Sequence, residues 1–396
     1  MDQGRGADGC RGLLPAHPDL HVEEVTNSPP VIPAEVARRI VLAKQHLLQR
    51  RPAAEWSIVP RSLVGIHAAR FKSPIFSLAA RVDFQSADAM SADLHRATDA
   101  IKIRCMRGTL HIVPVEVAHI FHAATWRQRR GVCERLNRTS GLNGRNIKRV
   151  FEVILQTLSG SRLTSMEIET RAASKGVGSK ELVRSALKFL WERGDLCYLN
   201  LSNRWSSEDR RYAITKEHYC AEPMRLLDEA EAERLLLENY FATYGPASLA
   251  DAAWWSSLSL QRVRRAVATM ADLKEVSVIG ETGPHYMFSS ELEGISFKSD
   301  QTSPVVRLLA YEDNLLKGYM PSRSRFVEPS HFASVFNAIG EARATIAVDG
   351  IVVGIWSWNG SSRRVEPILF RGLSGDERAS LTQEIDRLSY LMATEA

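Results

Sequence analysis

The spacing of hydrophobic positions along this chain changes repeatedly, and each change marks a predicted element. Apolar residues at three- and four-residue spacings predict a helix beginning near Pro33, and two shorter helices are predicted over residues 60–70 and 86–98, the second capped by Ser86. Apolar and polar residues then alternate over 101–107 and 109–113, on either side of Gly108, which predicts two paired strands. Three helices followed by a two-stranded ribbon is the order of a winged helix-turn-helix unit.

The same order of elements recurs twice more. In the second unit, helices are predicted over 146–158 and 179–193, and strands over 196–201 and 211–214. Between the two helices, a short helix is predicted to begin at Thr164, with Glu167 as its capping-box partner. The third unit has predicted helices over 229–244, 249–256 and 260–271, and strands over 276–279 and 285–288. The pattern VRSAL at 183–187 resembles VRRAV at 263–267, which favours an internal repeat over chance agreement.

From about residue 304 the chain consists of short β-rich segments closed by a helix over 375–394. Asp349-Gly350 between two alternating runs predicts a type I′ hairpin. We predict a separate α+β unit here, either a small barrel or a curved sheet. The predicted division is therefore a flexible tail (1–31), winged helix 1 with a basic segment (32–145), winged helix 2 (146–222), winged helix 3 (223–303) and a C-terminal β-rich domain (304–396).

The charged residues are unevenly distributed along the chain. The 396 residues are 44% hydrophobic and 24% charged, which excludes disorder of the whole chain, and their net charge of +5 is unevenly placed. Residues 101–150 hold eleven Lys or Arg against two Glu, so the rest of the chain is net acidic. Arginine predominates there and suits bidentate phosphate contact, and Trp126 could stack on a base. Beside three predicted winged helices, this segment predicts contact with nucleic acid, although a solvated basic helix remains the alternative.

Other classes of protein are disfavoured. No apolar run is long enough to cross a membrane, no secretory signal is found, and the five cysteines lack disulfide or zinc-ligand spacing. We therefore expect a cytoplasmic protein with free thiols, no metal and no cofactor. Trp254 and Trp255, at helical spacing, are expected in the core.

Two regions carry a resemblance to a known family. The first is GIHAARFKSPIFSLAAR at 65–81, followed by MRGTLHIV at 106–113. The second is LLAYEDNLLKGY at 308–319 with SRSRF at 322–326, followed by VDGIVVGIW at 348–356. In order and spacing these segments resemble the winged-helix DNA glycosylases of the AlkZ-like, crosslink-repair kind, over about residues 35–392. The resemblance implies an α+β fold with three tandem winged helices in a C-shaped array, closed by a β-barrel-like domain and holding duplex DNA.

The resemblance also implies an activity. Members of the family cleave the N-glycosidic bond of bulky alkylated purines, and some unhook interstrand crosslinks made by the host's own genotoxic antibiotic. Their Gln–aliphatic–Gln triplet falls here on His67, Ala68 and Ala69. His67 matches a His-first variant and could orient or deprotonate the attacking water, whereas Ala69 cannot form the second hydrogen bond. Asp313 is the acidic residue that most nearly keeps the family pattern.

The sequence thus predicts a monofunctional, cofactor-free DNA glycosylase acting on bulky N7- or N3-alkylpurines as a monomer, serving self-resistance. Its predicted catalytic residues are His67 and Asp313. Its predicted DNA-binding residues are Arg70, Lys72, Arg107, Thr109, His111, Arg127, Arg129, Arg130, Lys148, Arg149, Arg323 and Arg325.

Two other functions stay open at this point. Ala69 in the triplet is compatible with a non-catalytic winged-helix DNA-binding protein, either a regulator or a lesion-shielding factor. A more distant possibility is an interaction scaffold that binds no nucleic acid.

Overall fold

The computed structural model describes residues 28–177, 179–219, 224, 227–293 and 303–393. Within these ranges the chain forms a mixed α/β structure in which helical segments alternate with small sheets. The predicted tail lies mostly outside the described residues, but Val31 belongs to a short strand and was wrongly assigned to the tail. Of the five cysteines, Cys105, Cys133 and Cys197 are buried free thiols, and the other two lie outside the description.

The first part of the chain is more elaborate than predicted. The helix predicted over 60–70 is wrong beyond Ser62, because Gly65 turns the chain with a φ of +92° into a strand that joins the predicted hairpin. A long helix also follows the hairpin. The elements are β1 (Val31–Ile32), α1 (Ala34–Lys44), β2 (Arg51–Pro52), α2 (Ile58–Ser62), β3 (Ile66–His67), α3 (Ser73–Ala79), β4 (Val82–Asp83), α4 (Ala87–Arg96), β5 (Ala100–Arg104), β6 (Leu110–Pro114) and α5 (Val115–Thr139).

The middle of the chain follows the predicted order closely. Thr164 and Glu167 form the predicted capping box, and Ser248 caps the helix predicted over 249–256. The elements are α6 (Ile147–Leu158), α7 (Ser165–Ser174), α8 (Lys180–Arg193), β7 (Leu196–Asn200), β8 (Arg210–Ile214), α9 (Thr215–His218), α10 (Glu229–Tyr244), α11 (Leu249–Ser256), α12 (Leu260–Val267), β9 (Leu273–Val278), β10 (His285–Phe288) and α13 (Ser289–Glu293).

Both of these units place three helices before an antiparallel hairpin, β7–β8 and β9–β10. The N-terminal strand β1 adds to the second hairpin by pairing in parallel with β9. Their identity as winged helices, and the domain boundaries, stay predictions.

The C-terminal part is an open sheet and not a barrel. Its four antiparallel strands run in the order β11-β12-β13-β14, and the described strands β11 and β14 do not pair with each other to close it. Asp349 and Gly350 both have positive φ, as a type I′ turn requires, so the predicted hairpin is confirmed. The elements are β11 (Val306–Leu309), α14 (Asn314–Lys317), α15 (Phe332–Val335), β12 (Thr345–Val348), β13 (Ile351–Asn359), β14 (Arg364–Leu369) and α16 (Gly375–Ala393).

A shared core fixes the C-terminal part against the first part. One hydrophobic cluster joins Phe121 on α5, Tyr240 on α10 and Leu316 on α14. Asn314 adds polar contacts: its Nδ2 donates to the carbonyls of Leu63 and Gly65, at 3.1 and 2.8 Å. The short helix α14 is therefore held against the turn that leads into β3. No helix in the described ranges is long and apolar enough to cross a membrane.

Candidate active site

Strand β3 brings His67 into the interior of the protein. Its two residues pair with β6 in the register Ile66 with Ile112 and His67 with His111. Gly65 permits the approach, since a Cβ at that position would lie 2.6 Å from Cγ1 of Val113. The sequence predicts a helix at His67, whereas the structure places it in the edge strand of a three-stranded sheet, paired with β6.

The imidazole of His67 is buried and has an unusual bonding state. The residue is 5% exposed, and within the described part of the chain neither Nδ1 nor Nε2 has a hydrogen-bond partner. Buried polar atoms are nearly always hydrogen-bonded, so a buried ring with two unpartnered nitrogens indicates a functional site. Nε2 lies 3.7 Å from Oε2 of Glu312. This spacing allows one small molecule, such as water, to contact both groups.

Burial determines the charge of this histidine. Desolvation lowers the pKa of His67 well below 6.5, and the neighbouring His111, Lys317 and Arg107 lower it further. The ring is therefore neutral near pH 7, with one nitrogen able to accept a proton or a hydrogen bond and the other able to donate.

His111 packs against His67 in an edge-to-face arrangement with ring centroids 5.3 Å apart. Its Nδ1 lies 3.3 Å from the carbonyl oxygen of Thr109 and 3.4 Å from Sγ of Cys105. Because a carbonyl only accepts, Nδ1 donates and carries the proton of the neutral ring. Burial lowers the pKa of His111 to about 4, so it stays uncharged beside His67.

Glu312 is held rigidly opposite His67. Its backbone N–H donates to the carbonyl of Ala342 at 2.9 Å, and the N–H of Ala342 donates back to Oε1. Oε2 faces Lys317, whose Nζ lies 2.8 Å away. The residue is 3% exposed and has a φ of +59°, a left-handed conformation that is uncommon outside glycine. Strained backbone of this kind is often retained at functional sites.

The predicted partner Asp313 does not join His67. Its carboxylate forms a bidentate ion pair with Arg81 at 2.7 and 2.8 Å, and both side chains are fully buried. Its Oδ1 also accepts from the N–H of Leu315, which caps α14. These contacts give Asp313 a structural role, and the carboxylate that faces His67 belongs to its neighbour Glu312. An Asp directly before a short helical segment is a typical N-cap. This signal in the sequence points to a structural role for Asp313 and leaves Glu312 as the candidate for the site.

Three cations surround Trp254 beside this pair. The guanidinium of Arg107 lies 3.8 Å from the indole centroid, Nζ of Lys317 5.3 Å and the guanidinium of Arg323 5.4 Å. Burial lowers the pKa of all three groups. Trp255 is in the core as predicted, but Trp254 is only half-buried and supports this cationic cluster. Among the described residues, Glu312 is the one carboxylate within ion-pair distance of this cluster, through Lys317, so the neighbourhood of His67 is electropositive.

The remaining predicted DNA-binding residues fall into three groups. Arg129 and Arg325 are buried, and Glu192 and Glu281 pair with them at 2.9 and 2.6 Å. These pairs stabilise the packing of helices and loops, so we do not retain either residue as a DNA contact. The side chain of Thr109 donates to the carbonyl of Met106 within its own turn. The predicted residues that reach the surface are Arg70, Lys72, Arg127, Arg130, Lys148 and Arg149.

Chemically, the site pairs a neutral imidazole with a fixed carboxylate, an arrangement suited to orienting and polarising a water molecule. Among the described residues no cluster of three or more His, Cys, Asp or Glu could hold a metal ion. Ala69, two positions after His67, is exposed, and its side chain has no polar atom that could bind this water.

Comparison with known proteins gives two matches. The sequence fits the family model described as DNA glycosylase AlkZ-like over residues 61–390. The structure is similar to that of the DNA glycosylase AlkZ from Streptomyces sahachiroi, with a TM-score of 0.71 and 22% identity, covering 91% of this chain and 96% of that one. The sequence matches none of the curated proteins with which it was compared.

Proposed function

Because the chain belongs to the AlkZ-like family of DNA glycosylases, we propose that it hydrolyses the N-glycosidic bond of bulky N7- or N3-alkylated purines in double-stranded DNA. In this proposal it is a monofunctional, monomeric enzyme whose three helical units are winged helices. Interstrand crosslinks are included among its substrates, and its role is self-resistance to a genotoxic natural product. The observation that carries the proposal is the buried imidazole of His67, which lies beside Glu312 and has no hydrogen-bond partner among the described residues.

The proposed chemistry needs only modest assistance from the protein. An alkylated N7 or N3 purine already carries positive charge and leaves readily as the neutral base. We propose that the neutral ring of His67 accepts a hydrogen bond from the attacking water, and that Glu312 stabilises the positive charge that develops on the sugar. Water adds to C1′, its proton passes to this pair, and the bond electrons leave with the base.

The proposed DNA contacts follow from charge and exposure. Arg107, Lys317 and Arg323 surround Trp254 next to the reaction centre, where a phosphate backbone would balance their charge. The surface residues Arg70, Lys72, Arg127, Arg130, Lys148 and Arg149 extend this contact. Arg130 and Arg127 face Glu134 and Glu229, at 2.7 and 3.9 Å, and would exchange these partners for phosphate.

The test uses a duplex that carries one bulky N7-alkylguanine. Incubation with the protein, followed by heating in alkali, should break the strand at the lesion, because excision leaves an alkali-labile abasic site. The variant His67→Ala should lose most of this cleavage. Equal break yields from the wild type and His67→Ala would overturn the proposal for that lesion.

Ala69 favours one further candidate, a lesion-shielding protein that binds the adduct without excising it. The same duplex distinguishes the two functions. Tight, lesion-selective binding with no alkali-labile product, by the wild type as well as the variant, would support shielding and exclude the glycosylase.

A further inference from the structure

A second cationic cavity lies beside the candidate active site. Its volume is about 240 Å³, and it is bounded by the turn Met106–Gly108, by helix α5 and by helix α8. Since one water occupies about 30 Å³ of liquid, the cavity can accept a phosphate group with part of its sugar.

The charges that line this cavity do not balance. Four cations face it, Arg104, Arg107, Arg129 and Lys188, together with a single carboxylate, Glu192. Glu192 is 3% exposed and already pairs with two of the four, at 2.7 Å to Arg104 and 2.9 Å to Arg129.

Glu192 does not pair with the other two cations. Within the described residues neither Arg107 nor Lys188 has a carboxylate within ion-pair distance. Unbalanced positive charge in a partly buried cavity is costly, and the cost falls when an anion enters. Arginine and lysine are also the side chains that most often bind phosphate.

The position of Arg107 connects the cavity to the reaction centre. The same guanidinium lies 3.8 Å from the ring of Trp254, and its charge lowers the pKa of His67. Arg107 lies in the turn Met106–Gly108 and contributes both to the lining of the cavity and to the contact with Trp254. An anion in the cavity would therefore belong to the nucleotide chain that presents its sugar to His67.

From these observations we propose that the cavity is a phosphate-binding subsite, in which Lys188 and Arg107 bind one backbone phosphate of the DNA substrate near the lesion. Lys188 is then a positioning residue that fixes the register of the strand. This inference rests on the proposed function for its ligand, but its test measures binding and needs no excision.

The test compares Lys188→Gln with Lys216→Gln, which removes the same charge from an exposed residue on α9. Affinity for the lesion duplex is measured against salt concentration. One lost phosphate contact lowers the slope of log K against log salt by about 0.9, so we expect that decrease for Lys188→Gln and no such decrease for Lys216→Gln. Lys188→Arg should restore the slope. Equal slopes for the two glutamine variants would overturn the inference.

Methylphosphonate duplexes locate the phosphate. Each carries one neutral linkage near the lesion. At one linkage, neutralising the phosphate should weaken binding of the wild type by about the same factor as Lys188→Gln weakens binding of unmodified DNA. At that linkage the modification should not weaken binding of Lys188→Gln any further. Additive losses at every linkage would overturn the assignment to DNA. A free phosphate would be the ligand of the cavity if two results came together. The losses would be additive at every linkage, and inorganic phosphate would stabilise the wild type, but not Lys188→Gln, against thermal unfolding.

These outcomes are independent of the activity. If the losses at one linkage are not additive but no base is excised, only the proposed glycosylase function is contradicted. Excision with additive losses would contradict only the phosphate subsite.

Discussion

Replacing the two adjacent carboxylates, Glu312 and Asp313, should have opposite effects on chemistry and stability. Asp313→Asn removes the charge that both nitrogens of the fully buried Arg81 contact, and breaking a buried pair in this way costs about 3–5 kcal/mol of stability. The helix cap is retained, because Asn caps nearly as well as Asp. The site at His67 is left intact, so each folded molecule should excise at close to the wild-type rate.

Glu312→Gln should do the reverse. The amide oxygen can still accept from Ala342, and of the two contacts of the carboxylate only the one to Lys317 is lost, so the stability cost should stay near 1–3 kcal/mol. The negative charge beside His67 disappears. Removing one group that stabilises charge in the transition state costs about 10²- to 10³-fold, so we expect the excision rate to fall by about 100-fold or more.

Two measurements separate these effects. Urea unfolding gives the free energy of unfolding of each variant, and base release under single-turnover conditions, with enzyme in excess, gives the rate per folded molecule. Glu341→Gln, which removes a more exposed carboxylate bonded to Asn337, is the control and should change neither quantity greatly. The reasoning fails if Asp313→Asn leaves the free energy of unfolding unchanged and slows base release as much as Glu312→Gln does.

Three further results are expected. Ala69→Gln should raise the single-turnover rate about tenfold, since its exposed position can accept a side chain that adds one hydrogen bond of about 1.4 kcal/mol to the water; Ala69→Leu is the size control, and an equal rise there would contradict the explanation. Because burial keeps the pKa of His67 well below 6.5, the required neutral form persists on acidification, and the rate per folded molecule should be flat from pH 8 to 6; a fall centred near pH 6.5 would show an ordinary histidine. Burial lowers the pKa of His111 from 6.5 to about 4 in the folded protein, so its contribution to stability is complete above pH 6.5 and is lost as the pH falls towards 4. Between pH 7 and pH 5 the free energy of unfolding of the wild type should therefore fall by about 2 kcal/mol more than that of His111→Gln. Equal decreases for the two proteins in urea unfolding would contradict this.

Local signals were sufficient for much of the fold. The capping box at Thr164 and the caps at Ser179 and Ser248 are formed by residues three positions apart, so their helices could be predicted from sequence. The Asp349-Gly350 turn was equally local, because few other residue pairs adopt two consecutive positive φ angles.

Elements that depend on distant partners could not be predicted in this way. Helix α5 packs against both α8 and α10, and its buried positions include polar residues such as His119 and Arg129, so its sequence lacks one clear apolar face. Strand β3 has two residues and exists because β6 pairs with it. The C-terminal sheet is open, and α16 contacts both of its edge strands, β11 and β14, an arrangement that no local pattern predicts.

The candidate site shows the same limit. The resemblance to a family led to His67, and the structure adds why it is special: it is buried with no hydrogen-bond partner among the described residues. The family pattern favoured Asp313 over Glu312, and the ion pair that gives Asp313 its structural role is with Arg81, 232 positions away. Arg129 and Arg325 contribute to the basic composition, but acidic residues far along the chain neutralise them.

The most direct test of the central claim is detection of the free alkylated base. A duplex with one bulky N7-alkylguanine is incubated with excess protein, and the released base is quantified by mass spectrometry for the wild type, for His67→Ala and for the control His331→Ala. We predict release by the wild type and the control, and a loss of about 100-fold or more in His67→Ala. Undiminished release by a folded, DNA-binding His67→Ala protein would contradict the account.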